Sequence, residues 1–285
     1  MDYKNRAYYW VLIVILLAVA VPVAAAAARL QPETIEAWDS YVALTEERIE
    51  KELQSGNGFL IQDFYAHPQE ARERVLGGGV VVASMKTIDG EGNGIPIPDG
   101  RIHHWRGSIF LPGVGLDEYL YRALNPSEND PHQPEVLEYR ILEKKPYELK
   151  VFIKMVRKKF VLLAYNTEHH ITYRRNGDGK ASGRSEATKI AELIGLGQPH
   201  EREMPVGRDR GFMWRLNSYW RFEEVEGGLI VEGESMLLSR DIPAILKPVI
   251  EPLIHRSAHD MIANTLEEIK ANHAADKIVR LQETR

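Results

Sequence analysis

Apolar and aromatic residues between Glu33 and Leu53 fall at Ile35, Trp38, Val42, Leu44, Ile49 and Leu53, with charges between them. This is the spacing of a helix that buries one face, and Ser55-Gly-Asn-Gly58 ends it. A mixed stretch follows to Val75, then Gly77–Gly79 and the β-branched run Val80–Val82. Beyond the Gly/Pro/Asp-rich loop Asp89–Gly100 the period shortens to two. Strands are predicted over Arg101–Leu111, Glu135–Leu142, Tyr147–Val156, Phe160–Arg174, Lys180–Leu193, Gly211–Val225 and Gly228–Arg240. Asn176-Gly-Asp-Gly179 and Glu226-Gly-Gly228 supply the glycines that tight hairpins require, and Arg157–Lys159 suits another tip. Consecutive hairpins predict an antiparallel meander, which need not be covered on both faces. From Ile245 the period lengthens again: Leu246, Val249, Ile250, Leu253, Ile254, Met261, Ile262, Leu266 and Ile269 recur at helical spacing. Pro248 and Pro252 predict a broken or kinked start, with Ala258–Lys270 regular.

Strand parity then sorts side chains by face. Around Glu226-Gly227, Leu216, Ser218, Trp220 and Phe222 share a face with Val231, Gly233, Ser235 and Leu237. The other face carries Arg215, Tyr219 and Arg221 beside Glu232 and Glu234, with Arg221 opposite Glu232, a pattern that suits a solvated outer surface. A long helix after a curved meander is expected in the concave face, where Gly233, Ser218 and Ser235 leave volume to be filled. If Asn176-Gly177 closes its hairpin as a two-residue loop, His169 lies opposite Arg184 and Thr167 opposite Glu186. A slip of one residue sends Arg184 and Glu186 to the face away from His169.

The N-terminus has a different character. Lys4 and Arg6 precede the uncharged run Val11–Val23, and Ala24–Ala28 offers small-residue cleavage choices, the make-up of a secretory leader. The run is also near the length needed to span a bilayer, with Tyr8, Tyr9 and Trp10 placed for an interface. Residues 1–28 are therefore a signal peptide or a membrane anchor, and 29–285 one domain outside the cytoplasm, in the periplasm or cell envelope. Pro22 and the alanine tract favour cleavage. The chain has no cysteine, so disulfides and thiolate metal sites are excluded. Losing Asp2, Lys4 and Arg6 moves the formal charge from −5 to −6, which gives no electrostatic basis for binding nucleic acid.

Candidate chemistry is sparse. His103 and His104 are adjacent on a strand, so only one reaches a given face. His255 and His259 have zinc-compatible i, i+4 spacing, but Arg256 stands where a metalloprotease helix needs glutamate, and no third ligand is evident. Asp89–Gly94 begins like a calcium loop, yet Gly100 occupies the position of the bidentate glutamate. No metal and no cofactor is expected.

Four segments carry a family likeness: Asp99-Gly-Arg-Ile-His-His-Trp105, Gly107-Ser-Ile-Phe-Leu-Pro-Gly113, Trp214-Arg-Leu-Asn-Ser-Tyr-Trp-Arg-Phe222 and Leu238-Ser-Arg-Asp-Ile-Pro243, which leads into the last helix. In that order the chain from about Glu33 to Ala271 resembles the START-like, or SRPBCC, superfamily of helix-grip proteins. The resemblance implies an α+β fold, with an N-terminal helix and a curved antiparallel β-sheet wrapped around a long C-terminal helix. It also implies a cavity between them for an apolar or amphipathic ligand. On that reading Trp105, Ile109, Tyr165, Trp214, Trp220, Leu237, Leu253 and Met261 form the wall, and His169 with Arg184 orients a polar end. The leading expectation is a non-enzymatic carrier or sensor of a lipid, sterol or quinone-like molecule, touching the membrane transiently or through its N-terminal segment. The alternatives are a cyclase- or hydrolase-type enzyme using His169 or His104 as general base, and a membrane-tethered envelope scaffold. N-terminal sequencing of the exported protein is expected to read a new start at or just after Ala24–Ala28; an intact N-terminus would mean a retained anchor.

Overall fold

The computed structural model of the chain describes residues 28–126, 135–158 and 162–283. The leader, and part of the tip at residues 157–159, fall outside them. Helix α1 (Pro32–Gln54) opens the fold, followed by a 3-10 turn (Ile61–Phe64) and α2 (Pro68–Leu76). Strands β1 (Val81–Ser84) and β2 (Gly100–Pro112) flank the Asp89–Gly100 loop, and α3 (Leu116–Leu124) follows. Next come β3 (Val136–Lys145), β4 (Glu148–Lys158), β5 (Leu162–Arg175), β6 (Lys180–Ile194), the short β7 (Arg202–Glu203), β8 (Arg215–Val225) and β9 (Gly228–Arg240). A 3-10 turn (Ala244–Leu246) leads into α4 (Lys247–Glu283), which continues through Pro252. The nine strands form one antiparallel sheet in the order β1-β2-β9-β8-β6-β5-β4-β3, with β7 beside β6. The architecture is the expected α+β helix-grip arrangement. Helix α3 was not anticipated, although Leu116, Tyr119, Leu120 and Ala123 have helical spacing. Among the described residues no helix is long and apolar enough to cross a membrane.

The two glycine-bearing hairpins behave differently. Glu226-Gly227 closes as a two-residue loop, Gly227 taking a φ of +85°, and Arg221 stands opposite Glu232 as expected. At Asn176 the amide N–H bonds the Lys180 carbonyl at 2.9 Å, so the loop is the three residues Gly177–Gly179. Both of those glycines use positive φ, and Gly179 in the left-handed region is what a three-residue hairpin needs. Arg184 consequently pairs with Thr172 and Glu186 with His170, while His169 lies opposite Ala187 after a bulge. Arg184 and His169 are on opposite faces of the sheet. The polar pair that a two-residue loop would have made does not form.

The face expected to be solvated is sealed. Helix α1 and the Phe59–Phe64 segment pack against the outer side of β2, β9 and β8, burying Arg221, Glu232 and Glu234. The charges are matched rather than removed. Arg48 from α1 bonds Glu234, and it also contacts Glu52, whose carboxylate takes Arg221 at 2.5 Å. Glu232 accepts the backbone N–H groups of Ile61 and Gln62 and is flanked by Arg106. His104 joins the layer with Nε2 at 2.7 Å from Glu234 and Nδ1 at 2.8 Å from the Tyr41 hydroxyl. Burial pushes the Glu232 carboxyl up to about 7 against the pull of Arg106 and Arg221. For Glu234 burial is outweighed by the His104 hydrogen bond and the Arg48 charge, which hold it below the usual range.

Removing one member of such a layer leaves its partners charged and dry. Glu234→Ala is expected to destabilise the fold by about 3–5 kcal/mol in urea denaturation. Loss of the exposed Glu143, which contacts Lys145 and Lys150, is expected to leave the urea midpoint nearly unchanged.

Candidate functional site

With the outer face closed, the inner face and α4 are left to form a site. In β2 the inner positions are Arg101, His103, Trp105, Gly107, Ile109 and Leu111, and β9 pairs them with Ser239, Leu237, Ser235, Gly233, Val231 and Leu229. Helix α4 lies over β1 and β2 and meets them in two ways. Its later half is seated hard on the sheet at Gly107. A Cβ at that position would stand 2.5 Å from Leu266 Cδ1 and 2.7 Å from Ile262 Cγ2, so any larger residue would force those side chains to move. Leu266 is buried there with Ile109, Leu111, Phe222 and Val231. The early part of α4 is looser. Leu253 is 47% exposed, Pro248, Pro252, His255 and Arg256 are also exposed, and so is Ile245 (86%) in the turn before the helix.

Between this early segment and the sheet lies a recess of about 360 Å³. Trp105 forms its floor, Met85 and Ile102 one side, and Glu251, Pro252, Ile254 and His255 the helix side. The Trp105 ring meets His255 edge-on at 4.5 Å between centroids and His259 at 6.1 Å. Arg101 and His103 provide polar groups. Arg101 Nη2 pairs with Glu251 at 2.7 Å, and His103 Nε2 lies 3.0 Å from Ser239 Oγ. Burial, with Arg101 alongside, lowers the His103 pKa to about 4, so the ring is neutral at pH 7. A smaller recess of about 250 Å³, lined by Leu30, Ile35, Val206 and Arg215 among others, is separate from α4.

The ten residues expected to line a cavity are not gathered at one place. Trp105 is in the recess and Ile109 is beneath Leu266. Tyr165 and Leu237 meet further across the inner face, in a cluster with Ala187, Ile190, Met213 and Leu216. Trp220 is half-buried and its ring lies against Gly233, where a Cβ would come within 2.7 Å. Met261 is half-buried on α4. Three placements differ from expectation. Leu253 is too exposed to be wall. Trp214 stands just before β8, where strand alternation no longer applies, and packs beneath α1 with Trp38, Tyr41 and Met236 while its Nε1 donates to Asp209. Arg184, on the outer face, bonds Glu46 of α1 and Glu186.

His169 does face inward. Thr167 Oγ1 donates to the Ile153 carbonyl at 3.1 Å, so its contact with His169 Nε2 at 3.0 Å places the imidazole proton on Nε2. Nδ1 then presents a lone pair. Burial lowers this pKa to about 4. The nearby Tyr165 hydroxyl is buried without a hydrogen-bond partner among the described residues, and burial raises its pKa. His104 has the carboxylate partner that a general base needs, but it points away from the inner face. Among the described residues no three His, Asp or Glu side chains converge as a metal site requires.

Sequence reasoning missed Arg101, His103, Met85 and Glu251 as one site. Part of the signal was present, since Arg101, His103 and Trp105 alternate along one strand face and Glu251 precedes His255 by one helical turn.

No protein-family model and no curated protein matches the chain. Solved structures of similar outline include a STAR-related lipid transfer protein from Xanthomonas axonopodis, with 16% identity over 67% of this chain and 98% of that one, at a TM-score of 0.43. Human STARD10 aligns at 9% identity over 84% of this chain and 81% of its own, also at 0.43. The Zhui aromatase/cyclase from Streptomyces aligns at 14% identity over 64% of this chain and 93% of its own, at 0.30.

His103 and His169 are neutral in the folded chain, whereas their unfolded forms bind a proton below about pH 6.5. Their stabilising contribution is complete above that pH and is lost as pH falls toward 4. His169→Gln is expected to flatten the acid limb of a stability–pH curve measured by urea denaturation between pH 6.5 and 4. An unchanged slope would show that the ring is protonated in the fold.

Proposed function

We propose that the chain binds an apolar or amphipathic small molecule between the inner sheet face and the early part of α4, and carries or senses it outside the cytoplasm. The observation that carries this reading is the recess of about 360 Å³ over Trp105, walled by the loosely held Pro252–His255 segment. A recess of that size, in which Trp105, Met85, Ile102, Pro252 and Ile254 stand beside polar groups from Arg101, His103, Glu251 and His255, suits a small amphipathic ligand. Burial of its apolar part contributes roughly 25 cal/mol per Å². Exchange proceeds by movement of the Pro248–Pro252 segment, which lacks the packing that fixes Leu266. The reading is non-enzymatic. His169 is held by a hydroxyl, with no carboxylate bonded to it among the described residues, and the His104–Glu234 pair is sealed under α1. The leader-like segment at Val11–Ala28 supports a working place in the periplasm or envelope, either free or tethered.

Native mass spectrometry of protein purified from a membrane-containing host is expected to show a bound lipid-sized mass that organic extraction releases and Trp105→Ala diminishes. A consistently empty protein without affinity for fatty acids, sterols or quinones would overturn the proposal.

A further inference from the structure

The polar groups of the recess narrow the class of ligand. Arg101 Nη2 is committed to Glu251, but its Nη1 is buried and has no hydrogen-bond acceptor among the described residues. A guanidinium is a planar fork whose nitrogens suit a carboxylate taken side-on. The Arg101 side chain is 32% exposed overall, so this nitrogen is the inner end of a group that an arriving acceptor can reach from the opening of the recess. Glu251 is poorly placed to be a permanent partner. Its side chain is 41% exposed, and it sits beside Pro252, whose missing N–H removes a helical hydrogen bond from the first turns of α4.

We infer that Arg101 anchors the carboxylate of a single-tailed amphiphile, which displaces Glu251 and lies with its tail over Trp105. This rests on the carrier reading and names its ligand class. The charge count of the site favours a monoanion. Arg101 is the permanent cation of the lining, since the buried His103 is neutral, His104 turns its ring to Glu234 on the other face, His255 packs edge-on against Trp105, and Glu251 supplies the opposing charge. A phosphate monoester brings more negative charge than one guanidinium balances. In the empty protein Glu251 occupies the place of the ligand's head and pins the helix start to the sheet. When an incoming carboxylate takes Arg101, Glu251 returns to water and the segment is freed. Head recognition and opening of the recess are then one event.

The test compares dodecanoate, dodecan-1-ol and dodecyl phosphate by calorimetry on the delipidated full-length chain. Dodecanoate is expected to bind on the order of tenfold tighter than the alcohol, the increment of one charge-assisted hydrogen bond, and the phosphate to gain nothing over dodecanoate. Arg101→Met should erase the difference between acid and alcohol while leaving alcohol binding within about twofold. Glu251→Gln, which keeps the side-chain shape, should tighten dodecanoate alone. Equal binding of acid and alcohol by the unaltered chain, equal weakening of both by Arg101→Met, or a marked preference for the phosphate would overturn the inference and leave the carrier reading standing. Failure of all three ligands to bind, with the fold intact by urea denaturation, would overturn the inference, and the carrier reading would fall with it only if sterols and quinones also failed to bind.

Discussion

Burying charge is the constraint around which this fold is arranged. Three carboxylates (Glu52, Glu232, Glu234) and three guanidiniums (Arg48, Arg106, Arg221) meet between the outer sheet face and α1, with His104 and Tyr41 at one side. Taking any one of them out of water costs several kcal/mol unless its counter-charge and hydrogen bonds come too. The layer is balanced only when α1 and the Phe59–Phe64 segment are seated, because they bring Arg48, Glu52 and the two N–H groups that Glu232 accepts. An opposite arrangement, with α1 displaced, would leave Glu232 and Glu234 facing guanidiniums in part and nothing in part. The outer face therefore has one cover. The inner face is left for α4 and for whatever α4 does not fill.

On that inner side the decisive contrast lies within one helix. Around Leu266 the helix touches backbone at Gly107, and the apolar cluster is continuous from sheet to helix. Around Pro252 the described contacts include the Arg101–Glu251 ion pair and the ring edge of His255 on Trp105. The free energy of seating is concentrated at one end. The recess exists because close packing at Gly107 fixes the height of the helix, while the larger Trp105 holds the helix away two residues earlier along β2.

Much of this was legible in the chain. The seven strands read from alternation are present, and the Glu226-Gly227 hairpin kept its expected pairing, with Gly227 taking the positive φ and Gly228 already paired with Val225 in the strand. The Asn176 hairpin was ambiguous for a physical reason: Gly177 and Gly179 both tolerate positive φ, so a two- and a three-residue loop are both open to the backbone, and they place Arg184 on opposite faces. The faces of β8 and β9 were sorted correctly, but their exposure was not. Arg221 opposite Glu232 reads the same in water as under a cover, and the cover comes from a helix far away in sequence. Trp214 was misplaced because alternation says nothing of a residue just outside a strand. Arg101 and Glu251 could not be joined from sequence, since their meeting depends on how high and at what angle α4 crosses β2.

The division of α4 has a consequence for how such a protein changes over generations. Between Pro252 and Arg256 the side chains of Pro252, Leu253, His255 and Arg256 are exposed, and none of them takes part in the contact at Gly107 on which the helix depends. The part of the molecule proposed to meet a ligand is thus separated from the part where the helix is seated on the sheet. Changes in that short, proline-marked stretch would reshape the recess, while changes at Gly107 or Leu266 would disturb the seat of the helix.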